Sequence, residues 1–127
     1  KDYESIMKKV MISQNIFNVP DKTIKETYDT IALYVKKYLF PDTDIEFVDG
    51  ISIEPPNSED TKQELYYLAK RLEMLSHADV LVIAPDEENN GNCPFERQYA
   101  VEFDIRMIFI DNPVNILKNI RQYHQHK

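Results

Sequence analysis

Asp-Val-Leu-Val-Ile-Ala-Pro-Asp-Glu-Glu-Asn-Asn-Gly-Asn-Cys-Pro-Phe-Glu-Arg-Gln-Tyr-Ala, residues Asp79 to Ala100, is the stretch whose reading decides the fold. Val80 to Ala84 is a short apolar run rich in β-branched residues, the pattern of a strand covered on both faces. Pro85 to Gly91 is acidic, amide-rich and turn-forming. Asn92 or Cys93 is placed to cap a helix that has Pro94 at its first position. Glu96 then falls in the first turn, near the positive end of the helix dipole. The stretch reads as a buried strand, a polar loop and a helix start that carries a carboxylate.

Working outward, Lys9 to Ser13 predicts a first strand, with Val10, Met11 and Ile12 as consecutive apolar residues. Thr23 with Glu26 fits a capping box, with Asp21 as a competing cap. Ile24, Tyr28, Ile31, Val35 and Leu39 recur at helical spacing and predict a helix over Lys22 to Phe40, stopped by Pro41. Ile45 to Val48 predicts a second strand, followed by a loop over Ile51 to Asp60. Leu65, Leu68, Ala69, Leu72 and Leu75 mark a helix over Thr61 to His77. Past the central stretch, the helix from Pro94 runs to about Phe103. Met107 to Ile110 is a fourth strand, and Val114 to Gln122 a terminal helix. Residues 1–7 read as an extension and 123–127 as a polar tail.

This β-α-β-α-β-α-β-α alternation predicts one α/β domain over 1–127, a flavodoxin-like three-layer sandwich. The parallel sheet has four strands, or five, in the order 2-1-3-4. The order reverses between strands 1 and 3, and ligands bind at the carboxyl ends of strands at such a reversal. That rule selects two loops, Ser13 to Asn18 and Pro85 to Glu96. It gives Asp79, at the amino end of strand 3, a structural role.

Composition narrows the function. The net charge of -7 over 127 residues argues against nucleic-acid backbones and anionic membranes as partners. There is no long apolar run to span a bilayer. A single cysteine forms no internal disulfide, which fits the cytoplasm. With only Gly50 and Gly91, the chain lacks a dinucleotide-binding glycine loop and a P-loop. No His/Cys spacing matches a metal site, so no metal and no cofactor are expected.

Within the two selected loops, Glu96 is the leading candidate. The helix dipole favours the charged carboxylate there, the form a nucleophile needs. Acids in a first turn also stabilise any helix, so position alone does not decide. Asp86 is the acid nearest the end of strand 3, a general acid or hydroxyl-binding group beside Glu96. Two carboxylates near one sugar are the equipment of glycosyl transfer. Ser13 and Gln14 end strand 1 and are placed to bond a ligand or to satisfy loop backbone. Cys93 lacks a nearby histidine, since His77 lies toward the opposite sheet edge and His124 and His126 are in the tail, so cysteine catalysis is not expected.

Three segments together resemble the nucleoside 2-deoxyribosyltransferase-like superfamily, in particular its small bacterial and phage members. They are Lys9-Val-Met-Ile-Ser-Gln14, Tyr67-Leu68-Ala69-Lys70-x-Leu72-Glu73-Met74 before Ala78-Asp79-Val80, and Gly91-x-Cys93-x-x-Glu96-x-x-x-Ala100. The resemblance implies the flavodoxin-like fold and cleavage or exchange of the N-glycosidic bond of a deoxynucleoside or nucleoside monophosphate. It implies Glu96 as the nucleophile on the anomeric carbon and Asp86 as its assistant. The loop with Ser13, Gln14, Asn15 and Phe17, and the turn with Gly91, Asn92 and Cys93, would line the substrate pocket. It implies a homodimer or larger homo-oligomer, with a nucleoside or nucleotide as the small-molecule partner. Relatives carry a glycine in the loop after strand 1. Here Gln14 to Asn18 has none, which speaks against a bound phosphate. Two functions follow: a glycosidase or deoxyribosyltransferase, and a degenerate module that binds or senses a nucleotide without turnover.

Overall fold

The structure, a computed structural model, describes residues 7–50, 53–57, 62–85 and 89–110. Four strands, β1 (Lys8–Ser13), β2 (Ile45–Phe47), β3 (Val80–Ile83) and β4 (Arg106–Phe109), form one sheet in the order β2-β1-β3-β4. Every pairing is parallel, with Val10 beside Phe47 and Val80, and Ile83 beside Phe109. Three helices connect them: α1 (Asp21–Tyr34), α2 (Gln63–Leu75) and α3 (Cys93–Glu102). This is the predicted flavodoxin-like α/β fold with its reversal between β1 and β3.

The alternation of side chains along the two central strands assigns the layers. Val10, Ile12, Val80, Val82 and Ala84 point to one face and pack with Ile31 and Val35 of the first helix. Met11, Leu81 and Ile83 point to the other and pack with Leu75 of α2 and Ala100 of α3. The same parity sends Ser13 toward α2 and α3. Gln14 goes toward α1, where its Nε2 donates to the Ile24 carbonyl at 3.2 Å.

Several local expectations change. The capping box at Thr23 does not form, because the helix starts earlier. Pro20 holds the N-cap position (φ -59°, ψ 142°), the Ile24 amide donates to its carbonyl, and Thr23 lies inside the first turn. Asp21 stands in that turn without capping it. At the far end the helix widens into a π-turn over Val35–Leu39, closed by the Phe40 amide on the Val35 carbonyl, before Pro41 stops it. On α2 the inward residues are Arg71 and Leu75, with Leu72 and Met74 packed beside them, while Leu65 is 61% exposed and Ala69 is exposed. Arg71 stands level with the end of β1, so Leu65, six residues earlier, lies about 9 Å further along the helix axis, past the end of that strand. The expected terminal helix at Val114 to Gln122 lies outside the described residues.

Asp79 has the structural role expected of it. Its carboxylate accepts the Lys9 amide at 2.9 Å and its own amide donates to the Lys9 carbonyl at 2.7 Å, joining β1 to β3 at their amino ends. α3 ends in a Schellman arrangement, with Asp104 at φ 58° and the Ile105 amide on the Ala100 carbonyl at 2.8 Å.

Candidate functional site

At the carboxyl ends of β1 and β3 the two selected loops meet over a buried polar cluster. Glu96, fully buried, lies at its centre. Its Oε1 accepts the Ser13 hydroxyl at 2.7 Å and Arg71 Nη2 at 3.1 Å. Its Oε2 accepts Arg71 Nε at 2.9 Å and Asn92 Nδ2 at 2.6 Å. Both carboxylate oxygens therefore carry two donors each, one pair of them the bidentate guanidinium fork.

Arg71 also reaches Asp49, from Nη1 to Oδ2 at 3.2 Å, and donates from Nη2 to the Ile12 carbonyl at 2.6 Å. The reason lies in the length of β2. The ladder between β1 and β2 ends where the Val48 amide donates to the Val10 carbonyl. Two residues on, Ile12 still presents an N–H and a C=O toward that side, and buried backbone groups need partners. Asp49 Oδ2 takes the Ile12 amide at 3.0 Å and Arg71 takes the carbonyl. Two side chains thus stand in for the missing strand residues.

Asn92 joins the loops. It occupies the N-cap position of α3 but makes no side-chain cap bond. Its amide instead donates to the Gln14 carbonyl at 2.9 Å and its Oδ1 accepts the Ile16 amide at 2.9 Å. Asn15 turns the loop by accepting the Phe17 amide at 2.9 Å. Gly91, at φ 52°, backs onto that turn, and a Cβ on it would collide with Asn15 Oδ1. In the same loop Asn18 takes the left-handed conformation at φ 59°.

The electrostatics follow from burial and from charge count: two carboxylates share one guanidinium. Burial lifts the Asp49 carboxyl above its ordinary value, and the neighbouring Arg71 and the Ile12 amide offset this only in part. Burial opposes the Arg71 cation, but Glu96 and Asp49 outweigh it and hold the guanidinium charged more firmly than in water. Burial and the facing Asp49 carboxylate raise the Tyr28 phenol, whose hydroxyl lies 3.4 Å from Asp49 Oδ1.

Of the residues singled out from the sequence, Ser13, Gln14, Asn15, Phe17, Gly91, Asn92 and Glu96 come together here. Cys93 is buried beside them at the start of α3. Asp86 lies outside the described residues. Among the described residues no group of three or more His, Cys, Asp or Glu could hold a metal ion, and no helix is long and apolar enough to cross a membrane. Sequence reasoning passed over Arg71 and Asp49. Arg71 falls on the inner stripe of α2, four residues before Leu75, and a cation on an apolar stripe signals buried acids elsewhere in the fold. Asp49, two residues after β2, read only as the boundary of a strand expected to end at Val48.

No protein-family model matches the sequence, and no curated protein does. Among solved structures, a conserved protein from Enterococcus faecalis V583 superposes with a TM-score of 0.56 at 15% identity, over 82% of this chain. That likeness shows the fold alone, and the chain spans 63% of that protein's length.

Proposed function

We propose that the chain is a nucleoside- or nucleotide-binding module of the deoxyribosyltransferase-like kind, in which Glu96 organises the site and does not turn over its ligand. The observation that carries this reading is the occupancy of the Glu96 carboxylate. A nucleophile needs an oxygen free to approach the anomeric carbon, and here both oxygens are held by Ser13, Arg71 and Asn92 in a fully buried position. The same bonds give Glu96 a different task. Through Asn92 they clamp the Gln14 to Ile16 backbone to the start of α3, and a loop fixed before binding loses less entropy when the ligand arrives. The clamped loops lie at the sheet reversal, the place where ligands of such folds bind.

The second reading is an N-glycosidase or deoxyribosyltransferase with Glu96 as nucleophile and Asp86 assisting. One observation favours it: Glu96 occupies the first turn of α3, beside the last residue of β1, where the resemblance places the reacting carboxylate. One experiment separates the two. The protein is incubated with a panel of deoxynucleosides and their 5′-monophosphates, and thermal stability and free base are followed together. Binding alone raises stability by about 2.7 kcal/mol at a ligand concentration a hundredfold above Kd. Stabilisation without base supports the module. Base release that disappears in Glu96→Gln establishes the enzyme. The homodimer or larger assembly belongs to the same proposal, and light scattering on the purified chain tests it.

A further inference from the structure

We propose that Arg71 is a latch on Glu96, and that Asp49 is the second seat onto which it withdraws when a sugar hydroxyl takes its place on the Glu96 carboxylate. The inference rests on the binding site proposed above and names the part of the ligand that Glu96 would meet.

The geometry supplies both positions. In the resting arrangement the guanidinium places Nε and Nη2 on Glu96 and only Nη1 on Asp49. Its shortest bond, Nη2 to the Ile12 carbonyl at 2.6 Å, belongs to neither acid and serves as a pivot. The bond to Asp49 is single and, at 3.2 Å, longer than the 2.9 Å bond from Nε to Glu96. Asp49 Oδ1 is held by a Tyr28 hydroxyl at 3.4 Å, a long contact that an N–H donor can displace. A turn about the Ile12 carbonyl would exchange a fork on Glu96 for a fork on Asp49, so the guanidinium stays paired throughout. Without Asp49, uncovering Glu96 would leave a buried cation with no partner, a costly state. With it, the cost is limited to exchanging one carboxylate for another. A hydroxyl is the group suited to fill the vacated place, because a carboxylate with a donor removed needs a donor in return. A purely apolar ligand or an anion offers none.

Asp49 is faced by Arg71 from α2 and Tyr28 from α1, with Glu96 across the guanidinium and Asp29 beyond the phenol. Its carboxyl is held above the ordinary value by burial. As pH rises and Asp49 ionises, the second seat becomes more attractive to Arg71.

The seat is tested without any ligand. In a crystal structure of Glu96→Gln, Arg71 should hold Asp49 through two N–H donors and keep its bond to the Ile12 carbonyl. A guanidinium that remains on the residue 96 side chain, with the Asp49 bond unchanged, overturns the proposal. If Glu96→Gln does not fold, the Arg71 Nε–H resonance of the wild-type protein replaces that measurement. It should move as Asp49 ionises, and a resonance that does not move overturns the latch. The ligand step is tested by calorimetry with the same panel of deoxynucleosides and monophosphates. Asp49→Asn should bind the tightest of them at least tenfold more weakly than wild type, and equal affinity overturns the latch. If the wild type binds none of the panel, the binding reading fails, and the latch is decided by the Arg71 position alone.

Discussion

On the α1 face of the sheet, Val10, Ile12, Val80, Val82 and Ala84 meet Ile31 and Val35, and none of these carries a polar side chain. On the opposite face the apolar layer of Met11, Leu81, Ile83, Leu75 and Ala100 gives way, at the carboxyl end, to Ser13, Arg71, Glu96 and Asn92, with Asp49 beside β1 reached by Arg71 from α2 and by Tyr28 from α1. Both faces are buried, but they are held together by different physics. The first is non-directional burial, worth about 25 cal/mol per Å² of apolar surface and tolerant of a change in shape. The second is a set of directional bonds in which each member satisfies another. A buried ion pair adds little net stability once desolvation is counted, and apolar residues of similar volume often replace it without loss. What the polar side chains supply here is position: Asp49 and Arg71 hold the Ile12 backbone, and Asn92, itself bonded to Glu96, holds Gln14 and Ile16 to the start of α3.

Changes on the two faces should therefore fail in different ways. The largest effect is expected from Arg71→Met, which leaves two buried carboxylates without a cation and the Ile12 carbonyl without a donor. Urea unfolding should show a loss of about 3–5 kcal/mol. Adding Asp49→Asn and Glu96→Gln to that variant should recover part of the loss. A single variant within about 1 kcal/mol of wild type would erase the distinction between the faces.

Gly91→Ala comes next. It places a Cβ at a positive φ against Asn15, so a loss of about 1–2 kcal/mol is expected. The amides of Asn15 to Phe17 should exchange faster with solvent. Exchange unchanged in that loop would mean that the clamp is not what orders it. On the apolar face, Ile31→Val should cost about 0.5–1.5 kcal/mol and leave loop exchange as it was.

The smallest effect is a slope. Asp49 is raised in the folded state, so its contribution to stability is complete below the ordinary aspartate value and is lost as pH rises through its folded value. The stability of wild type relative to Asp49→Asn should therefore fall as pH rises across the mildly acidic range. A difference that stays constant with pH would place the Asp49 carboxyl at its unfolded value.

The same contrast explains what could be read from the chain. Burial on both faces leaves continuous apolar runs, so Val10 to Ile12 and Val80 to Ala84 were legible as central strands. Their order followed from the α/β alternation. That the loop starting at Ser13 and the one ending at Glu96 lie at one edge was legible too, from the sheet reversal, whereas the bond between the two side chains was not. Directional bonding is written less plainly. Arg71 lies on a helix whose other inner residues are apolar, and its partners are 22 and 25 residues away in sequence. Asn92 read as a helix cap because the local pattern offers only that role, whereas its amide bonds a loop 78 residues distant. Capping at Thr23 failed for a local reason, the proline that starts α1 earlier.

The central claim is that Glu96 is an occupied structural anion and not a free nucleophile. The most direct test is to follow free base from the deoxynucleoside and monophosphate panel with wild type and Glu96→Gln side by side. Wild type should bind a member of the panel, and neither protein should release base. Base released by the wild type and absent with Glu96→Gln would contradict the claim.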